Sequence, residues 1–269
     1  MSDVNRISDR YAQHVYGFIG TGALTAAMVE GFCRHGSTSM SFRLSPRNKD
    51  AAAELAARYP NIQVCADNQA VIDASAVVVL AVRPQDANEA FRTLRFSPHH
   101  TVISVMAGIP LEAVKALSGD VAAVVCAAPL ASSNEGASIT PVYPRNVIAR
   151  EMFARLGEVI ELDDESLFAA FFSATATVAS WYAYLGSISH WLEAAGVGAS
   201  DARRHVATMF RGLARSLDGE HDFEVLAKHH ATKDGINEQL LRELRGNRVF
   251  DHVASGLDGI RARVQGRRN

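Results

Sequence analysis

The sequence predicts an α/β fold in which a parallel sheet covered by helices comes first and an all-helical domain follows. Three observations carry this. From residue 15 onward, short β-branched apolar runs alternate with longer helix-like stretches. The run AVVVLAV at 76–82 shows almost no polar alternation, as a central strand buried on both faces requires. After Pro144 β-branched runs become scarce and helical stretches take over, leaving one short VIEL strand near residue 160.

Taken in order, residues 1–14 mix charged and polar groups without the apolar core of a secretory signal, and read as a flexible lead-in. Strands are expected at about 15–19, 41–45, 62–65, 76–82, 101–105 and 121–126, with one more near 137–142. Helices fit between them at about 23–35, 48–58, 69–73, 85–94 and 110–117. The sheet domain is placed at 15–164 and the helical domain at 165–269. That second domain opens with one long helix over about 165–195, stopped at Ala195-Gly196, then a helix from Asp201 to Leu217 and more to the C-terminus. The first of these is apolar on several faces, through Phe171, Phe172, Trp181, Tyr184, Leu185 and Trp191, so part of its burial is expected from a second subunit.

The chain has 269 residues, of which 48% are apolar and 21% charged, enough for one large core or two modest ones. A net charge of −2 leaves no basic surplus for a nucleic-acid duplex or an acidic membrane surface. No run of about 18 apolar residues is present. Cys33, Cys65 and Cys126 are odd in number and widely spaced, which suggests neither a disulfide framework nor a metal centre and fits a reducing cytoplasm. No metal is expected at His229-His230 either, since no acidic or cysteine ligand follows at a matching spacing.

The sharpest motif is VYGFIGTGALTAAMVEGF at 15–32, a strand running through Gly20, Thr21 and Gly22 into an amphipathic helix. This is a dinucleotide fingerprint in its expected context. Gly20 permits the turn, Gly22 admits a pyrophosphate, and the helix start at Ala23 and Leu24 offers free amides. Thr25 stands where glycine or alanine is usual, which should shift helix packing slightly. At the end of the second strand, where a carboxylate would select NAD, the chain reads Ser45-Pro46-Arg47-Asn48. A hydroxyl, a guanidinium and an amide suit a 2′-phosphate, so NADP(H) is the expected cofactor and NAD the less favoured one; Arg47 as a solvated residue at the next helix start is the alternative. Ala81, Val82, Arg83 and Pro84 close the fourth strand, and Ala107-Gly108 follows the fifth. Both segments should border the nicotinamide ribose, although Ala107-Gly108 also fits a plain turn.

Together these motifs resemble the pyrroline-5-carboxylate reductase family. The resemblance rests on GFIGTG at 17–22, SPRN at 45–48, DN at 67–68, LAVRPQ at 80–85, ISVMAGI at 103–109, LGEVIELDDE at 156–165 and AAGV at 194–197. It implies a Rossmann-like domain, with Asn68 among its cofactor contacts, and a helical domain that interlocks with its twin in a homodimer or a larger ring. It implies hydride transfer from NADPH or NADH to a cyclic imine, giving proline.

The chain departs from the family at three places. Cys126-Ala127-Ala128-Pro129-Leu130 replaces a Met-Pro-Asn-Thr-Pro segment, leaving Pro129 to border the substrate. Val178–Tyr184 replaces a glycine- and proline-rich helix start. The carboxylate-binding turn becomes Ala231–Gln239, where Lys233 and Gly235 are the remaining substrate candidates and Asp234 brings a negative charge. Ser180, Thr232 and Asn237 are the candidate catalytic polar groups; as readily, Thr232 is a turn or cap residue and Asn237 an exposed helix residue. Tyr182 and Tyr184 read as packing or dimer-interface residues. These changes leave open a different imine or a non-catalytic NADP-binding regulator. A β-hydroxyacid dehydrogenase needs a lysine in the long helix, and no lysine lies between Lys115 and Lys228.

Overall fold

The computed structural model describes residues 14–35, 40–130, 136, 138–219 and 222–266, with the side chains of residues 215 and 218 excepted. All but one residue of the expected lead-in therefore lies outside the described residues. The described chain groups into two compact units. One contains the residues up to Ser173 together with those from Arg261 onward, and the other runs from Ala174 to Ile260.

The first unit is built on one eight-stranded sheet in the order β3-β2-β1-β4-β5-β6-β7-β8. Its strands are β1 (Val15–Ile19), β2 (Ser41–Leu44), β3 (Ile62–Val64), β4 (Val77–Leu80), β5 (Thr101–Ser104), β6 (Ala123–Ala127), β7 (Ser138–Tyr143) and β8 (Gly157–Glu161). The first six pair with one another in parallel; β7 runs antiparallel to β6, and β8 is parallel to β7. The helices are α1 (Ala23–His35), α2 (Lys49–Arg58), α3 (Asn68–Asp73), α4 (Ala87–Phe91), α5 (Leu111–Ser118), α6 (Val147–Phe153) and α7 (Glu165–Ala174). Every residue of β4 and β5 is buried, which is why their sequences carry no alternation.

The two faces of the sheet hold separate cores. One gathers Phe18, Phe32, Phe42, Leu44, Val79 and Phe153 beneath α1, α2 and α6; the other gathers Ile19, Ile72, Leu80, Val102, Val114 and Phe168 beneath α3, α5 and α7. Phe32 and Phe42 stack at 5.8 Å between ring centroids.

Three elements differ from the sequence expectation. The helix expected over 85–94 is a short 3₁₀ turn at Pro84–Asp86 followed by the five residues of α4. Helix α6 was not foreseen; Asn146 starts it, its side chain accepting the Ala149 amide at 3.0 Å. The single helix expected over 165–195 is two, α7 and α8 (Thr177–Ala194), broken at Thr175-Ala176. At the break the Thr177 hydroxyl donates to the Ala174 carbonyl at 2.7 Å, a local bond that competes with the helical ladder. The break leaves α7 with the sheet unit, where Phe168, Ala169 and Ser173 are buried.

The second unit contains α8, α9 (Ala199–Ala214), a 3₁₀ turn at Arg215–Asp218, α10 (Phe223–His230) and α11 (Ile236–Gly246). It also takes most of α12 (Val249–Val264), up to Ile260. Among its described residues only Ala202 and Val206 are buried hydrophobics.

Candidate functional site

The fingerprint loop is fastened from both sides. β2 and β4 flank β1, so the segments that follow them lie on either side of the turn after Ile19. Gly20 has φ +103°, and a Cβ there would stand 2.5 Å from the Ala81 carbonyl oxygen; only glycine fits. Its amide donates to the Ser45 hydroxyl at 2.9 Å, and the Thr21 hydroxyl donates to the Ser45 carbonyl at 2.9 Å. The Thr25 hydroxyl reaches back to the Gly20 carbonyl at 2.6 Å. Thr21, Thr25 and Ser45 are all buried, and the Thr21–Ser45 bond is shielded from water.

Gly22 differs from Gly20, since a Cβ there would meet nothing within 4 Å. Its face is open. The Ala26 amide donates to the Gly22 carbonyl at 2.9 Å, which leaves the amides of Gly22, Ala23 and Leu24 without an acceptor inside the helix. An open glycine beside free amides at a helix N-terminus is a cradle for a phosphate anion.

Two of the expected phosphate contacts also have partners inside the protein. The Ser45 hydroxyl is fully buried and accepts the Gly20 amide. Asn48 caps α2, its side-chain oxygen accepting the Ala51 amide at 3.5 Å, which leaves only its amide nitrogen for a ligand. Arg47 is exposed at the same corner. Its guanidinium lies 3.4 Å from the Asp86 carboxylate, which also takes Arg83 through Nε and Nη2 at 3.0 Å each. Arg83, expected beside a nicotinamide ribose, therefore stands with Arg47. Asp86 escaped notice in the sequence, where an acidic residue after RPQ reads as an ordinary first-turn charge.

Asn68 follows the α3 cap Asp67, which accepts the Ala70 amide at 2.8 Å, and is half-buried as the first residue of α3. Val82 is buried, while Ala81 and Pro84 are half-buried. Beyond β5 the chain turns at Ala107-Gly108, with Gly108 at φ +69°.

Gly108 borders a cavity of about 300 Å³ in the first unit, at the carboxyl ends of β5 and β6. Met106, Leu111, Phe168 and Phe172 form its apolar wall; Ser104, Cys126 and Glu165 supply polar atoms. Glu165 accepts the Leu111 amide at 3.1 Å, capping α5, whose own N-cap Pro110 offers no side chain. Burial, reinforced by the Glu165 charge, pushes the Cys126 thiol up to about 12, so it is protonated and unreactive at neutral pH. Pro129 is buried just past β6 and does not line this cavity.

In the second unit the candidate polar residues part company. Ser180 and Asn237 line one groove of about 960 Å³ with Trp181, Tyr184 and Leu240; Thr232, Lys233 and Gly235 do not line it. The turn before α11 is present, with the Gly235 amide donating to the Thr232 carbonyl at 2.9 Å and Asp234 at φ +61°. Yet the Asp234 amide donates to Glu238 Oε2 at 2.8 Å. Glu238 thus adds a second carboxylate, beside that of Asp234, at the turn where Lys233 and Gly235 are the substrate candidates. Among the described residues no cluster of histidine, cysteine, aspartate and glutamate could hold a metal ion.

Comparisons with known proteins agree with this architecture. Residues 15–108 match the family model described as NADP oxidoreductase coenzyme F420-dependent. Pyrroline-5-carboxylate reductase 2 of Bacillus subtilis is 25% identical over 248 residues, covering 88% of this chain and 89% of that protein. The Pseudomonas aeruginosa pyrroline-5-carboxylate reductase is 24% identical over 260 residues, covering 91% and 94%. Among solved structures, 1-pyrroline-5-carboxylate reductase of Streptococcus pyogenes superposes with a TM-score of 0.79 at 19% identity, covering 94% of this chain and 98% of that one. The Plasmodium falciparum pyrroline carboxylate reductase, solved with NADP bound, superposes at 0.77 with 14% identity, covering 94% and 98%. These likenesses in three dimensions establish the fold.

Proposed function

We propose, on the premise that the chain is a divergent member of the pyrroline-5-carboxylate reductase family, that it uses NADPH to reduce a small cyclic imine. The observation that carries this reading is the locked loop at Gly20 with the open face at Gly22. A loop held with one glycine locked and the next open lets a pyrophosphate rest directly on backbone amides.

Each residue then has a task. The amides of Gly22, Ala23 and Leu24 hold the pyrophosphate. Arg47 takes the 2′-phosphate of the adenosine ribose. Thr21, Ser45 and Ala81 keep the loop in shape, Asn68 and Val82–Pro84 line the cleft, and Ala107-Gly108 leads into the cavity where nicotinamide and imine meet.

A bound nicotinamide supplies the hydride for the imine carbon. The chain itself mainly orients the two partners and keeps water out, through Met106, Leu111, Phe168 and Phe172. The imine nitrogen takes its proton from water or a hydroxyl. The helical unit is assigned to a homodimer, since Trp181, Trp191 and Leu240 are left exposed on its surface. Among the described residues no helix is long and apolar enough to cross a membrane, and the three cysteines are free, which fits action in the cytoplasm.

The test is direct. Protein mixed with NADPH and pyrroline-5-carboxylate, or another cyclic imine, should consume the nicotinamide absorbance, and Arg47→Ala should weaken NADPH far more than NADH. Equal losses for both coenzymes would remove the 2′-phosphate assignment. A second reading, a non-catalytic NADP-binding regulator, is favoured by the Glu238 carboxylate at the head of α11. Tight NADPH binding without turnover of any imine would select it.

A further inference from the structure

We infer that Arg83 is a second guanidinium of the adenosine 2′-phosphate subsite, acting with Arg47 to set the preference for a phosphorylated nucleotide. The inference rests on the NADPH reading above and extends it to a residue from a different strand.

Arg47 follows β2 and Arg83 follows β4, the two strands that flank β1. Their side chains nevertheless meet on a single oxygen, Asp86 Oδ2, at 3.4 Å and 3.0 Å. The acceptor is only 19% exposed, whereas the guanidiniums are 62% and 70% exposed. The carboxylate thus sits in the wall, and the cations face outward.

Exposed ion pairs of this kind add little stability, so holding the fold together is a poor explanation for the cluster. What it does is gather two long, rotamer-rich side chains at one corner before a ligand arrives, reducing the ordering cost of binding. Each guanidinium has five donors in a fixed plane, and Asp86 engages few of them, so most remain for a phosphate. Two cations against one carboxylate leave a net positive charge. That charge attracts a phosphate dianion and gains nothing from the neutral ribose of NADH. The location matches as well, because the adenosine ribose of a dinucleotide lies at the end of the second strand.

The full chain is titrated with NADPH and NADH, and with adenosine 2′,5′-bisphosphate and adenosine 5′-phosphate, for the natural sequence, Arg83→Gln and Arg83→Lys. Arg83→Gln should weaken NADPH and the bisphosphate by about tenfold or more while leaving NADH and the monophosphate within about twofold. Arg83→Lys, which keeps the charge but not the fork, should recover part of the loss. A protein that prefers NADPH but is indifferent to Arg83→Gln, or that loses both coenzymes equally, overturns this inference and leaves the reductase reading standing. Failure of the natural sequence to bind either coenzyme would overturn both.

Discussion

The Gly20 amide donates to the Ser45 hydroxyl at 2.9 Å, tying the turn after β1 to the residue that follows β2. Ser45→Ala leaves that half-buried amide without its acceptor, at a cost of about 1 kcal/mol. Because the bond shapes the pyrophosphate loop rather than touching the adenosine phosphate, NADPH and NADH should weaken alike. Urea denaturation paired with titration of both coenzymes reads the two effects. Unchanged stability would show that Ser45 does not hold the loop.

Glu165 caps α5 from 54 residues away, and its contribution can be separated from its charge. Glu165→Ala should lower stability by about 0.5–2 kcal/mol, the usual range for a lost N-cap. Glu165→Gln keeps an oxygen acceptor for the Leu111 amide and should lose only a fraction of that. Denaturant midpoints of the two variants, measured side by side, decide the matter. An equal loss in both would mean that the carboxylate's charge, not its acceptor oxygen, is what matters.

Alkaline pH should destabilise the sheet unit from a defined onset. Burial raises the Cys126 thiol from 9.0 to about 12 and the Tyr16 phenol from 10.0 to about 12. Both groups are neutral when protonated, so the folded chain keeps protons that the unfolded chain releases. Their contribution is complete below about pH 9 and declines as pH rises toward 12, by about 1.4 kcal/mol per pH unit for each group. Cys126→Ala should make the decline above pH 9 shallower without abolishing it, since the Cys33 and Cys65 thiols, also raised from 9.0 by burial, and the Tyr16 phenol still contribute. Stability profiles between pH 8 and 11 that coincide in slope for the two proteins would contradict this.

The helical unit should depend on self-association. Trp191 is 69% exposed, Phe223 75% and Ile236 84%, a distribution unsuited to a helical unit alone in water. Sedimentation at micromolar concentration should give a dimer, with a melting temperature that rises with protein concentration. Leu240→Asp, in the groove that contains Ser180 and Asn237, should shift the chain toward monomer. A monomer whose melting is independent of concentration would refute the assignment.

The sheet was readable because buried parallel strands leave unbroken apolar runs, as at Val77–Leu80, and because glycine spacing marks the loop after β1. The inward turn of Ser45 was not, since nothing one residue past a four-residue strand tells whether a hydroxyl faces the ligand or the fold. Asp86 and Arg47 stand 39 positions apart and meet only through the sheet order. Glu238 looked like a routine helix residue, although its place three positions after Gly235 is the spacing of a reach-back to the preceding amide. The break at Thr175-Ala176 was hidden because alanine-rich and aromatic residues on both sides score as continuous helix.

Thr25 stands at a position where a consensus approach to stabilisation would write alanine or glycine. Here that edit would unhook the Gly20 carbonyl from its only hydroxyl donor among the described residues. Engineering toward the commoner letter would thus loosen the coenzyme cradle it was meant to firm up, and a pattern search that insists on a third small residue would pass over a loop that a threonine keeps closed.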